Sequence, residues 1–329
     1  MDSAQSFVSS QPWYISLLLA VGSVWVLRFG AQTLAVLGQV FLLPGTSLKK
    51  FGAKKGAWAV VTGASDGIGK EFALQLGKAG FNVLLVARNA TLLNTLGAEI
   101  ESASGVKTRV HVIDFSNSDE AAYIALSSAI DELDVGVLVN NVGKSHAMPA
   151  YLVDVPLDEM KDIVAINVGA TLRVTHATLP GMVTRKRGLI LNIGSFAGSV
   201  PSPMLATYSG TKAFLSTFSA ALDEEVRRKG IVVEHVNTYF VTSKLSKIRR
   251  PSMLIPTPKA FVRSVLSKIG LPCGAAFSGR PATSTPFWSH AIIDYAMTVI
   301  SAPALFVSYT HGLHKSIRAR ALKKKAKGE

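Results

Sequence analysis

The chain has 329 residues and a formal net charge of +14, yet only 17% of its residues are charged and its mean hydropathy is +0.32. So apolar a composition is unlike an ordinary soluble protein and asks for a membrane segment. The positive charge is concentrated at residues 49–55, at 244–250 and in the tail from 315, without the interleaved aromatics of a base-stacking surface; that argues against nucleic acid and for anionic lipid headgroups.

Residues 1–12 are a short leading segment. Residues 13–43, "WYISLLLAVGSVWVLRFGAQTLAVLGQVFLL", exceed the ~20 apolar residues needed to cross a bilayer core. Arg28 interrupts them, so it either snorkels or marks one edge of the inserted window. No Lys or Arg precedes it and the run is too long for a cleaved leader, which leaves an uncleaved anchor. Lys49, Lys50, Lys54 and Lys55 in the 44–56 linker place the chain beyond the anchor in the cytosol by the positive-inside rule. A lone cysteine, Cys273, excludes an intramolecular disulfide and suits that reducing compartment.

Six apolar runs come next: "AWAVVTG", "FNVLLVA", "TRVHVID", "VGVLVNN", "GLILNIG" and "IVVEHVN". They read as strands buried on both faces. Amphipathic stretches such as "GIGKEFALQLGKAG" separate them, and this alternation predicts an α/β fold with a Rossmann-like, doubly wound parallel sheet over 57–245. Residues 241–287, rich in Pro, Ser and basic residues, read as loops and short helices over one end of the sheet. The apolar stretch 288–309 contains His290, Asp294 and Pro303, so an interfacial or re-entrant helix fits at least as well as a second span. Residues 246–310 thus form a loop region and a hydrophobic C-terminal segment, and 311–329 a basic tail.

The first strand runs into "TGASDGIG", where Gly63, Gly67 and Gly69 allow a tight turn that lets a diphosphate approach backbone amides and a helix N-terminus. The second strand ends in "LLVARN". Where NAD enzymes place an acid for the ribose hydroxyl, this chain has Arg88, a partner for the 2′-phosphate of NADP(H). Asp114, after strand three, is placed to accept from an adenine amino group. Asn140 and Asn141, after strand four, can bond across neighbouring strand ends and line the adenosine side. His146 lacks a partner at metal-ligand spacing and reads as a loop histidine, and no metal is expected. His176 reads as structural, Cys273 lacks the neighbours of a nucleophile, and Asp223, Glu224, Arg227 and Arg228 read as a solvated helix face.

"TGASDGIG", "NNVG", Asn167 in "AINVGA", Ser195 in "NIGSFAG" and "YSGTK" occur in the order and spacing of the short-chain dehydrogenase/reductases, which residues 57–245 resemble. The resemblance makes Tyr208 the proton donor, Lys212 the residue that lowers its pKa and holds the nicotinamide ribose, Ser195 the carbonyl-orienting hydroxyl and Asn167 the residue that keeps a helix open for a relay water. It also puts Ser65, Asp66 and Ile68 of the glycine turn, with Val241 and Ser243 of "TYFVTS", against the cofactor. The chemistry agrees. Hydride transfer to a ketone leaves an alkoxide that needs a proton, and a phenol with pKa ~10 becomes a better donor beside an ammonium. Positions 208 and 212 share one helix face. Asp66 departs from the family, which often has a basic residue there, and "TYFVTS" stands where the family has Pro-Gly.

Over nearly its whole length the chain resembles a narrower group, the fungal microsomal reductases of very-long-chain fatty-acid elongation, which reduce 3-oxoacyl-CoA with NADPH at the endoplasmic reticulum beside other elongation enzymes. "TGASDGIGKEFA", "NNVGKSH" and "YFVTSKLSKIRRPS" carry that likeness, and lysines third and fifth from the end resemble a dilysine retrieval signal. Lys244, Lys247, Arg249 and Arg250 are then expected to hold the CoA phosphates. Reduction of 17-ketosteroids or 3-ketosphinganine on the same fold, and a non-catalytic scaffold in the elongase complex, stay open as alternatives.

Overall fold

The computed structural model describes residues 12–327. Helix α1, Trp13–Leu37, continues through a π-helical turn, Gly38–Leu42. In the most apolar 18-residue window of Trp13–Leu42 the mean hydropathy is 1.6, and none of that window is buried. A helix that is hydrophobic all round and unburied is a membrane-span candidate. Its last turns do meet the body: Val36 and Val40 pack with Cys273, Ala276, Ala291 and Tyr295, and Gln39 Oε1 accepts from the Cys273 amide at 2.9 Å.

The six expected strands form as β1 Trp58–Thr62, β2 Asn82–Ala87, β3 Thr108–Val112, β4 Val135–Asn140, β5 Gly188–Ile193 and β6 Ile231–Val236. Their alternating side chains supply two cores. Ala59, Val61, Leu189 and Leu191 face one side, where helices α2 Gly67–Ala79 and α3 Ala90–Ser104 lie; Val60 and Ile190 face the other, against α4 Glu120–Asp131 and α6 Ala170–Arg185. Between them in sequence lies α5, Leu157–Val164, running through a π turn, Ala165–Gly169, into α6. β3 departs from the expectation of two buried faces. As the edge strand it is half-open, and Arg109 stacks over Trp58 while pairing with Glu132 at 2.7 Å.

With a two-residue β7, Thr283–Ser284, at the far edge, all neighbours are parallel in the order β3-β2-β1-β4-β5-β6-β7, so the chain reverses direction of winding at β1 and leaves a crevice beyond the carboxyl ends of β1 and β4. After β5 come a single helical turn, α7 Phe196–Ser199, and the long α8, Ala206–Val226. The sheet fold does not close at residue 245. Helix α9, Pro258–Ser267, buries Phe261, Val262 and Val265 in the same core as α2, and a two-residue strand β7, Thr283–Ser284, pairs with β6.

The region 288–309 is not one helix. α10, Trp288–Ile300, ends at Ser301 in the left-handed region (φ 48°), and α11, Pro303–Ala326, starts anew. Among the described residues only Trp13–Leu42 is long and apolar enough to cross a membrane, so a second span is not supported. The polar residues of α10 turn inward. Asp294 is 2% exposed and pairs with Arg280 at 2.6 Å, tying α10 to the segment before β7.

Candidate active site

The glycine turn forms as its sequence requires. Gly63 (φ 65°) and Gly67 (φ 57°) sit in the left-handed region, and a Cβ on Gly69 would lie 2.1 Å from the Gly63 carbonyl oxygen. Asn141 holds the turn. Its Nδ2 donates to Thr62 O (3.0 Å) and Gly63 O (3.3 Å), while the Asn141 and Val142 amides donate to Thr62 Oγ1. Asp66 precedes α2 with extended backbone, and Lys244 of the loop after β6 pairs with it at 3.2 Å.

Arg88 is exposed just past β2 and makes no ion pair among the described residues. It lies close enough to Asp114 to help hold that carboxyl below the usual range, although the bonds from the Ser116 hydroxyl and amide contribute more. The adjacent asparagines divide. Asn141 faces the cleft, but Asn140 is buried beneath it, its Nδ2 donating to Thr175 Oγ1 (2.9 Å) and Asn192 Oδ1 (2.8 Å). Asn192 in turn donates to Ser219 on α8. Asn140 therefore bonds across strand ends as expected but does not line the adenosine side, because successive strand residues point to opposite faces.

Ser195 follows β5 and caps α7, accepting from the Ala197 amide at 3.2 Å. Its hydroxyl lies near enough to the Tyr208 phenol to favour the ionised form. On α8 the Lys212 ammonium lies 5.8 Å from the Tyr208 ring centroid and donates to Ile193 O at 2.7 Å. Burial lowers the Lys212 pKa to about 8. The expected acidification of Tyr208 is not what the protein alone displays: burial raises the phenol, and the nearby Ser195 hydroxyl only partly opposes it. The Lys212 ammonium makes its hydrogen bond to a main-chain carbonyl.

Asn167 sits in the π turn, Ala165–Gly169, where a widened hydrogen-bond ring displaces a helical carbonyl from its partner. Its Oδ1 accepts from the Lys144 amide (2.8 Å), and its Nδ2 donates to Lys144 O (3.0 Å) and Thr211 Oγ1 (2.9 Å). The loop after β4 is thereby fixed to α8 beside Tyr208 and Lys212. Thr211 and the Lys144 main chain were not singled out from sequence, and no local pattern marks them. His146 is also no loose loop residue. It is 7% exposed, with Nδ1 2.8 Å from Glu159 of α5. His176 is exposed on α6, Asp223 accepts from the Val233 amide at 3.1 Å, and burial pushes the Cys273 thiol up to about 12, which leaves it inert.

A cavity of about 720 Å³ joins these parts. Ile68, Asn141, Gly143, Ser195, Tyr208, Lys212, Val241 and Ser243 line one side; Met297 of α10 with Phe306 and Leu313 of α11 line the other. Of the basic loop, Lys244 is tied to Asp66 and Lys247 donates to Ala147 O, while Arg249 and Arg250 are exposed. The glycine cradle at a helix N-terminus, opening into this cavity, fits a nicotinamide dinucleotide, which would supply a hydride. A hydroxyl, a phenol and an ammonium at the carboxyl edge of such a sheet define a nicotinamide-dependent oxidoreductase.

Residues 57–253 match the short chain dehydrogenase family, and the chain belongs to it. It is 69% identical over 319 residues to a very-long-chain 3-oxoacyl-CoA reductase of Laccaria bicolor, covering 97% of this chain and 94% of that one. It is 50% identical over 314 residues to the protein of that name from Mycosarcoma maydis, covering 94% and 89%. Among solved structures, one from work on 7β-hydroxysteroid dehydrogenase stereoselectivity superposes with a TM-score of 0.68 at 23% identity, covering 79% of this chain and 98% of that one. A short-chain dehydrogenase from Sphingobium yanoikuyae in complex with NADPH gives 0.60 at 24%, covering 74% and 95%. At those identities the structures speak for the fold.

Proposed function

We propose that the protein reduces very-long-chain 3-oxoacyl-CoA to 3-hydroxyacyl-CoA with NADPH, as the ketone-reducing step of fatty-acid elongation. The reaction is carried out on the cytosolic side of the endoplasmic reticulum membrane, alongside the other elongation enzymes. The observation that carries this reading is the Ser195–Tyr208–Lys212 group opening on a cavity whose far wall is apolar, in a chain 69% identical over almost its full length to reductases of that name. The anchor α1 and the lysines just past it support the location; residues 328–329 of the basic tail lie outside the described residues.

The substrate carbonyl oxygen sits between the Ser195 and Tyr208 hydroxyls. As hydride arrives at the carbonyl carbon, Ser195 donates a hydrogen bond to the developing oxyanion and Tyr208 transfers its proton to it. Lys212 stands behind the phenol as the local positive charge and holds the ribose. Arg88, exposed and without an ion pair among the described residues, takes the 2′-phosphate.

Purified enzyme is assayed by NADPH oxidation with a long 3-oxoacyl-CoA, estrone and 3-ketosphinganine in parallel. The acyl-CoA is expected to be turned over fastest, and Tyr208→Phe to lower that rate by roughly 100- to 10,000-fold with NADPH still bound. Preference for either rival ketone, or an undiminished rate in the Phe variant, would overturn the assignment.

A further inference from the structure

We propose that α10 and α11 lie in the membrane interface and frame a lateral portal through which the substrate's acyl chain passes between the bilayer and the catalytic cavity. This rests on the acyl-CoA reading above. Leu305 and Tyr309 both line the cavity, yet they are 67% and 68% exposed. The cavity is therefore continuous with an open apolar surface that also includes Ile292, Val299 and Ile300. At about 720 Å³, shared with the nicotinamide end, it is sized for a compact ligand and not for a whole very long chain. The remainder of the chain needs somewhere apolar to go.

The occupant of that surface is lipid for two reasons. The first is continuity: the last turns of α1 pack directly on α10, with Thr33 Oγ1 3.0 Å from Tyr295 Oη, so the end of the anchor and α10 share one level. The second is charge. Between Trp288 and Lys327 the sequence has one acid, Asp294, and it is buried and paired. The apolar first half of α11 gives way to exposed Lys315, Arg320, Lys323 and Lys324, the pattern of a helix lying on anionic headgroups. The other side of α11 is strapped to the rim of the site, through His314 Nδ1 to Pro203 O (2.7 Å) and Arg318 to Asp154 (3.1 Å). One helix thus touches both the catalytic mouth and the lipid-facing surface.

The test uses the full chain in anionic liposomes, with bimane on Leu305→Cys and, as control, on Ser102→Cys of α3; the native Cys273 is buried and does not label. Nitroxide-bearing phospholipids are expected to quench the label at 305 and spare that at 102. Equal quenching at the two sites, or quenching at 305 by aqueous iodide instead, would overturn the lipid placement and indicate water or a protein partner. The variant Val299→Asp/Ile300→Asp, outside the cavity lining, is expected to slow a bilayer-dissolved long 3-oxoacyl-CoA roughly five-fold while keeping acetoacetyl-CoA within about two-fold. Equal losses on both esters would refute the portal. If wild type reduces neither ester, the acyl-CoA reading falls, whereas the quenching still decides where the helices lie.

Discussion

Lys212→Met should remove activity and change stability in a direction that depends on pH. In the folded protein burial holds the ammonium near pKa 8 against an ordinary 10.5, so at pH 7 the folded state carries a charge at a cost of about 3 kcal/mol. Methionine removes that cost, although it leaves the Ile193 carbonyl without its 2.7 Å partner, at about 1–3 kcal/mol. The variant should then be as stable as wild type at pH 7 or more so, by up to about 2 kcal/mol. Between the folded pKa and the unfolded one, the unfolded wild-type chain binds a proton that the folded one has lost, so wild-type stability rises with pH. The variant-minus-wild-type difference must therefore fall by about 3 kcal/mol from pH 7 to above 10.5, a change that the lost hydrogen bond does not affect. Urea unfolding followed by tryptophan fluorescence, both proteins in the same detergent, measures it. A difference that stays constant, or grows with pH, would refute the claim that burial dominates at Lys212.

Arg88→Ala should raise the KM for NADPH by about ten-fold or more, the loss of a charge-assisted phosphate contact, and leave that for NADH nearly unchanged; steady-state kinetics with both cofactors decides it. Gly69→Ala places a methyl 2.1 Å from Gly63 O, and NADPH binding, read by energy transfer from tryptophan, should be lost while far-UV circular dichroism is kept. Arg280→Met leaves the Asp294 carboxylate, 2% exposed, without its cation and should cost about 3 kcal/mol of unfolding free energy, read by urea unfolding.

The runs that became β1 to β6, the turn at residues 62–69 and the apolar helix α1 were legible because each depends on near neighbours in the chain: side-chain period, glycine backbone freedom, length of apolar run. The order of Asn167, Ser195, Tyr208 and Lys212 was legible as a pattern. Asn140 and Asn141 were not separable from sequence, since only the pleat of β4 sends one under the sheet and the other to the cleft. The pairing of His146 with Glu159 and of Asp66 with Lys244, and the addition of β7 beside β6, required segments distant in sequence to meet.

The amino-acid order by itself determined which groups are present, a phenol and an ammonium one helical turn apart, a glycine turn after the first strand, an arginine after the second. Only the tertiary structure decided their electrostatic state and company. Whether burial or a neighbouring charge governs Tyr208 and Lys212 depends on what packs around them, and the apolar wall of the cavity comes from helices nearly a hundred residues further along. Local conformation follows from adjacent residues, but desolvation is a property of the assembled interior.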